Sequence, residues 1–296
     1  MQSDTPMNPL SRLVLLYLAW TLLPLSGEEL RIVAAENFYG NVAKQIAGNE
    51  AQVISIMSNP NQDPHEFTTS AQTAKAVADA DIVIYNGISY DPWMDKLLGT
   101  RGKPGRVAIR VADLIGAKEG DNPHIWYDPR TMPALTDKLG DEIASRVTMR
   151  RDWVRRNVAQ FKSSMKPELD KITALKAAHD GTVVTATEPV FGYMAQALGL
   201  KMLNGEFQIA VMNDTDPTAA QTAAFEKSLR TRTAKILFYN SQVTDPTTSR
   251  LQDLAKSSGV PVVGVTETQP PDQKTYVAWM LHELDGVEAA LAAKSQ

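Results

Sequence analysis

The stretch RRDWVRRNVAQFKSSMKPELDKITALKAA, Arg150–Ala178, decides how the chain is organised. Trp153, Val154, Val158, Phe161, Met165, Leu169, Ile172 and Leu175 recur every three or four residues, the spacing of one apolar helix face. A helix of that extent is about 40 Å long, enough to run from one body of a protein to another. Pro167 lies inside it and predicts a kink or an interruption, because proline has no N–H to give to the preceding turn. The arginines Arg150, Arg151, Arg155 and Arg156 read first as a solvated face, and second as a docking surface.

Extended apolar runs alternate with helical segments on both sides of this stretch. Before it come strands over Leu30–Ala35, Gln52–Met57, Asp81–Tyr85 and Arg106–Ile109, with helices over Phe38–Ala47, Thr68–Val77 and from Pro92. A further helix runs from about Thr131 to Val147. After it come strands over Thr182–Ala186, Lys235–Tyr239 and Val260–Val265. Helices are predicted there over Val190–Leu198, Pro217–Leu229 and Thr247–Ser257; Asp216 and Pro217 read as the N-cap and first residue of the second of these. Strands separated by helices imply parallel βαβ units. The expected fold is therefore α/β: two βα lobes with parallel sheets, residues 28–149 and 180–296, joined by one long helix over residues 150–179.

The chain has 296 residues, 43% hydrophobic and 22% charged, which suits two folded lobes rather than a disordered chain. A net charge of -4 gives no basic footprint for nucleic acid. Cysteine is absent, which removes disulfides, thiolate metal sites and thiol nucleophiles together. Any metal must be held by imidazole and oxygen. Arg12 followed by the apolar run Leu13–Leu25 and the small residues Ser26 and Gly27 reads as a signal peptide over residues 1–27, starting at Met1 or Met7. The run is short of the roughly 20 apolar residues a membrane span needs. No cysteine follows it, so the expected product is a periplasmic monomer without a membrane anchor.

Four loops carry the chemistry. In NPNQDPHEF, Asn59–Phe67, His65 follows a strand and precedes a helix, in a loop stiffened by Pro60 and Pro64. In NPHIWYDP, Asn122–Pro129, His124 again follows a proline and precedes a helix. In TATEPVFGY, Thr185–Tyr193, Glu188 lies just past a strand, and in VGVTETQPP, Val263–Pro271, so does Glu267. Ligands in α/β folds collect outside the carboxyl ends of strands. Taken singly, each is an ordinary loop or helix-start residue; as a set, two imidazoles and two carboxylates make a divalent-metal site. His179, at the end of the long helix, and His282, read as partly buried packing in the last helix, fit worse.

The motifs Asp63–Phe67, Asn122–Pro129, Glu188–Tyr193 and Glu267–Pro271, in that order around one long helix, resemble the zinc- and manganese-binding solute-binding proteins of ABC transporters. The likeness covers essentially everything after the signal. It implies two α/β lobes joined by a rigid helix, with the metal in the cleft between them. By motif, His65 and His124 match the two histidine ligands, Glu188 a third position that is histidine or glutamate, and Glu267 a fourth that is usually aspartate. The histidine-rich loop of many zinc-dedicated members has no counterpart: residues 116–122 are short and contain no histidine. Carboxylate at the third position leans the set toward manganese, with zinc or ferrous iron as alternatives.

The expected function is capture of one divalent ion and its delivery to an ABC importer's membrane permease. Imidazole binds metal only when neutral, so affinity should fall below about pH 6.5. Rival readings are a secreted metallohydrolase using the same four residues and a chelated-iron binding protein of the same architecture. The first lacks a His-Glu-x-x-His helix or a Gly-x-Ser-x-Gly elbow, and the second would line its cleft with arginine or tryptophan.

Overall fold

In the computed structural model of the chain, residues 29–59, 67–243 and 246–293 are described. The segments expected as signal peptide and as the His65 loop lie outside them. Two four-stranded sheets, both wholly parallel, form the frame. The first contains β1 (Leu30–Glu36), β2 (Ala51–Met57), β3 (Ile82–Tyr85) and β4 (Val107–Arg110), in the order β2-β1-β3-β4. The second contains β5 (Val183–Ala186), β6 (Lys201–Leu203), β7 (Leu237–Asn240) and β8 (Val262–Val265), in the equivalent order β6-β5-β7-β8. Register runs from Leu30 opposite Ala51 to Glu36 opposite Met57, so the amino ends of the strands lie at one pole and their carboxyl ends at the other.

Both faces of each sheet are covered, which is why the inner strands read as unbroken apolar runs. On the first sheet, α1 (Asn37–Ala47) and α5 (Thr131–Arg146) belong to the core on one side. On the other face, α2 (Ala71–Asp79) and α3 (Pro92–Leu98) pack with Val33, Val83 and Tyr85. The short α4 (Val111–Ile115) leads toward the His124 loop. In the second half come α8 (Gly192–Ala197), α9 (Gly205–Met212), α10 (Ala219–Arg230), α11 (Pro246–Ser257) and α12 (Tyr276–Ala292). One apolar core continues through both halves, from Ile32 and Ile84 through Trp126, Leu139 and Ile172 to Val184, Phe238 and Trp279.

The linking helix is bent. It consists of α6 (Arg151–Ser164) and α7 (Lys166–His179), with Met165 between them. Pro167 has no N–H for the carbonyl four residues back, so the first helix stops and the proline takes a place in the opening turn of the second, where no donor is required. Two other expectations are corrected. Helix α10 is capped by Thr218, in a reciprocal capping box with Gln221, and not by Asp216. His282 is exposed, because the buried stripe of α12 is formed by Tyr276, Trp279, Met280, Glu283, Leu284 and Val287.

Glu168, on the first turn of α7, is fully buried, and neither carboxyl oxygen has a hydrogen-bond partner among the described residues. Burial raises it from 4.5 to about 8. The folded chain therefore holds this proton over a window in which the unfolded chain has released it, and stability must fall as pH rises from about 4.5 toward 8. Glu168→Gln is expected to flatten that slope and to stabilise the protein by about 4 kcal/mol at pH 8, with little effect near pH 4.5. Thermal melts across the window check this; parallel curves for the two proteins would refute it.

Candidate metal centre

His124 is held in place by its protein neighbours. It is 1% exposed and stands beside Tyr90 and Trp126, with ring centroids 6.0 and 5.2 Å away. Its Nδ1 lies 2.7 Å from the Asn122 amide oxygen, which also accepts the His124 backbone N–H at 3.1 Å. The other end of that amide donates to the Pro189 carbonyl at 2.7 Å. A carbonyl only accepts, so the Asn122 amide has one orientation, Nδ1 carries a proton, and in the neutral ring the lone pair is on Nε2. The same side chain ties the His124 loop to the loop of the other lobe that carries Glu188.

Nε2 points at Glu267, whose Oε1 is 3.4 Å away. A neutral imidazole nitrogen and a carboxylate oxygen both offer lone pairs. Their separation matches the roughly 3.4 Å edge of a tetrahedral shell with bonds of about 2.0–2.2 Å. The other Glu267 oxygen accepts from Asn240 Nδ2 at 2.9 Å. The Glu267 loop is fixed through its backbone: the Gln242 side-chain oxygen accepts from the N–H groups of Glu267 and Thr268 at 2.8 and 2.9 Å. Beneath it, Glu283 accepts from the Thr266 hydroxyl at 2.8 Å and the Trp279 indole at 3.0 Å. Burial raises the Glu283 carboxyl, and these donors oppose that rise.

Glu188 lies two residues past β5 and shares with Glu267 a cavity of about 270 Å³. Asp214 and Asp216 also line it, so its wall is strongly acidic. His124 and Glu267 thus come together at the boundary between the halves, with Glu188 on the cavity that Glu267 also lines, while His65 lies outside the described residues. Among the described residues, no group of three or more His, Asp or Glu side chains is close enough to hold a metal. The loop carrying His65 leaves from Met57, which is paired with Glu36 at the same strand end.

Sequence reasoning missed the supports. Glu36, at the carboxyl end of β1, is fully buried beside Asp91. Burial, then the Asp91 charge and a hydrogen bond with it, push the Glu36 carboxyl well above the usual range. Burial lifts Asp91 to about 6 against the opposing backbone N–H groups of Gly87 and Asn86, at 2.8 and 2.7 Å. Glu36 therefore keeps the shared proton and Asp91 accepts it. The Asn86 amide in turn donates to the Pro123 carbonyl at 2.9 Å, bracing the residue before His124. Glu36, Asn86, Asn122 and Asn240 gave no signal beyond their place at strand ends and loops.

Comparison with known proteins agrees with this architecture. The chain is 22% identical over 292 residues to the manganese ABC transporter substrate-binding lipoprotein PsaA of Streptococcus pneumoniae, covering 90% of this chain and 91% of the relative. It is 23% identical over 281 residues to the manganese-binding lipoprotein MntA of Bacillus subtilis, covering 89% and 90%. Among solved structures it resembles the periplasmic zinc binding protein TroA from Treponema pallidum, with a TM-score of 0.74 and 17% identity over 90% of this chain and all of that one. The Mn-bound periplasmic metal binding protein from Candidatus Liberibacter asiaticus gives a TM-score of 0.72 at 19% identity, covering 88% and 99%. Residues 32–290 match the model of the family described as zinc-uptake complex component A, periplasmic. The chain belongs to that family.

Proposed function

We propose that this protein captures a divalent transition metal outside the cytoplasm and hands it to the membrane permease of an ABC importer. The observation that carries the reading is the pair formed by His124 Nε2 and Glu267 Oε1 across the lobe boundary, 3.4 Å apart, with Glu267 also lining an acidic cavity. In the proposal His65, His124, Glu188 and Glu267 are the ligands, two imidazoles and two carboxylates. Such a set takes manganese, zinc or ferrous iron; its carboxylate share leans toward manganese. Binding is the whole of the activity, with no reaction catalysed on the ion.

The finer parts of the proposal are a monomer, a signal peptide over residues 1–27, and freedom from a lipid anchor. The last rests on the lack of any cysteine among the 296 residues, whereas the relatives named above are lipoproteins. Residues 28–149 and 180–296 are proposed as lobes on either side of a linking helix over residues 150–179. Among the described residues, no helix is long and apolar enough to cross a membrane.

Titration calorimetry with Mn²⁺ and with Zn²⁺ tests the site. One ion per chain is expected, with a loss of affinity of at least about 100-fold in His65→Ala and in His124→Ala, and about tenfold or more in Glu267→Ala. Unchanged binding in both histidine variants refutes the site.

Asn122 offers a separate test, because its oxygen serves His124 and its nitrogen serves the other lobe. Asn122→Ala is expected to cost about 10- to 100-fold in affinity. Asn122→Asp keeps an acceptor for Nδ1–H and should retain most of what alanine loses. Equal losses in the two variants would show that the imidazole tautomer is not what Asn122 controls.

A further inference from the structure

The pole opposite the metal centre has a different character. Residues Ser145–Arg156 contain five arginines and one aspartate, in a chain whose net charge is -4. They form the end of α5, the turn Thr148–Arg150 and the start of α6. Arg146 is held by Glu142 at 2.6 Å, Arg150 faces Glu50 at 3.5 Å, and Arg155 faces Asp152 at 3.7 Å. Arg151 and Arg156 are exposed and have no carboxylate partner among the described residues. At the tip, Met149 is 98% exposed. Neither metal capture nor the packing of the lobes uses this patch.

Its position is fixed. A Cβ on Gly48 would lie 2.3 Å from the Trp153 ring, so the start of α6 sits directly on the turn before β2. Asn157 donates to the Ile46 carbonyl at 2.9 Å, and the first residue of β2, Ala51, is paired with Leu30. The basic patch therefore lies at the amino ends of β1 and β2. The metal centre lies beyond their carboxyl ends, roughly 20 Å away along a seven-residue strand. At the far end Glu188, Asp214, Asp216 and Glu267 make the cavity acidic. The molecule is thus polar end to end.

We propose that the pole formed by Met149, Arg150, Arg151, Arg155 and Arg156 docks on an anionic phospholipid bilayer and holds the protein with its metal cleft turned to solvent. Two features favour this occupant. The patch is cationic against an acidic chain, so a uniformly anionic surface attracts this end and repels the other. An exposed methionine at its centre supplies an apolar side chain for the headgroup boundary. In this orientation the cavity stays open for loading, and the few cationic contacts are weak enough to release the protein for delivery to a permease.

The test is co-sedimentation of the processed protein, as isolated from its native compartment, with vesicles of phosphatidylcholine alone or with about 30 mol% phosphatidylglycerol. Binding at least about tenfold greater to the anionic vesicles is expected, falling away between about 50 and about 300 mM salt. The quadruple variant Arg150→Glu, Arg151→Glu, Arg155→Glu and Arg156→Glu should sediment no more than with neutral vesicles while keeping its metal titration. The corresponding glutamine variant, free of added negative charge, should lose binding in the same direction. Equal binding to both vesicle types, no binding to either, or anionic binding that survives in the glutamine variant overturns the proposal.

Discussion

The hydrogen bond from the Tyr127 hydroxyl to the Thr266 carbonyl, 2.7 Å long, is the point on which the two halves of the molecule are registered. Tyr127 is three residues past His124, and Thr266 immediately precedes Glu267. Around that bond the packing is dry and aromatic: Phe38, Trp126, Tyr127, Tyr276 and Trp279 are all fully buried, in edge and tilted contacts with centroids 4.8 to 6.2 Å apart. Tyr276 closes the ring by donating to the Trp126 carbonyl at 2.7 Å. Buried hydroxyls of this kind leave costly unpaired groups if the halves slide. The distance between the imidazole of one lobe and the carboxylate of the other is therefore set by core packing, and the loops themselves have little to decide.

The same constraint binds the two halves into one packed unit. Their apolar interiors are continuous, and the linking helix is only one of several ties. Asn37 donates to the Gln269 carbonyl at 2.7 Å, Asn41 to that of Lys274 at 2.9 Å, and Asn122 to that of Pro189 at 2.7 Å. Wide opening about a hinge would break the aromatic wedge and all of these bonds together. A core packed this closely has discrete arrangements and resists continuous deformation.

The frame was legible in the sequence because its signals are long or fully buried. Asp81–Tyr85 and Thr182–Ala186 read as strands since parallel strands are apolar on both sides, and the linking helix has eight apolar residues at helical spacing. The loops carrying His124, Glu188 and Glu267 were legible by position, each leading into or following a regular element. What escaped was either short or settled by tertiary contact. Strand β6 has three residues at a sheet edge, and α9 begins from Asn204 in a left-handed conformation, with no cap to announce it. Asp216-Pro217 and Thr218-x-x-Gln221 are rival start signals two residues apart, and the reciprocal pair of bonds at the second prevailed. Glu36, Asp91, Glu168 and Glu283 escaped because a buried carboxylate is defined by what surrounds it, which no local pattern encodes.

The cavity beside Glu188 and Glu267 bears on how an ion would arrive. At about 270 Å³ it has room for roughly nine water molecules at ~30 Å³ apiece. A divalent cation still wearing six waters fits inside before touching an imidazole. On the proposed ligand set, the cavity carboxylates Glu188 and Glu267 would be the first protein groups to replace water on the ion, and the buried His124 nitrogen would follow. On that geometry the speed of capture follows the lability of the ion's own hydration shell, so a fast-exchanging metal would be seated sooner than a sluggish one of equal affinity.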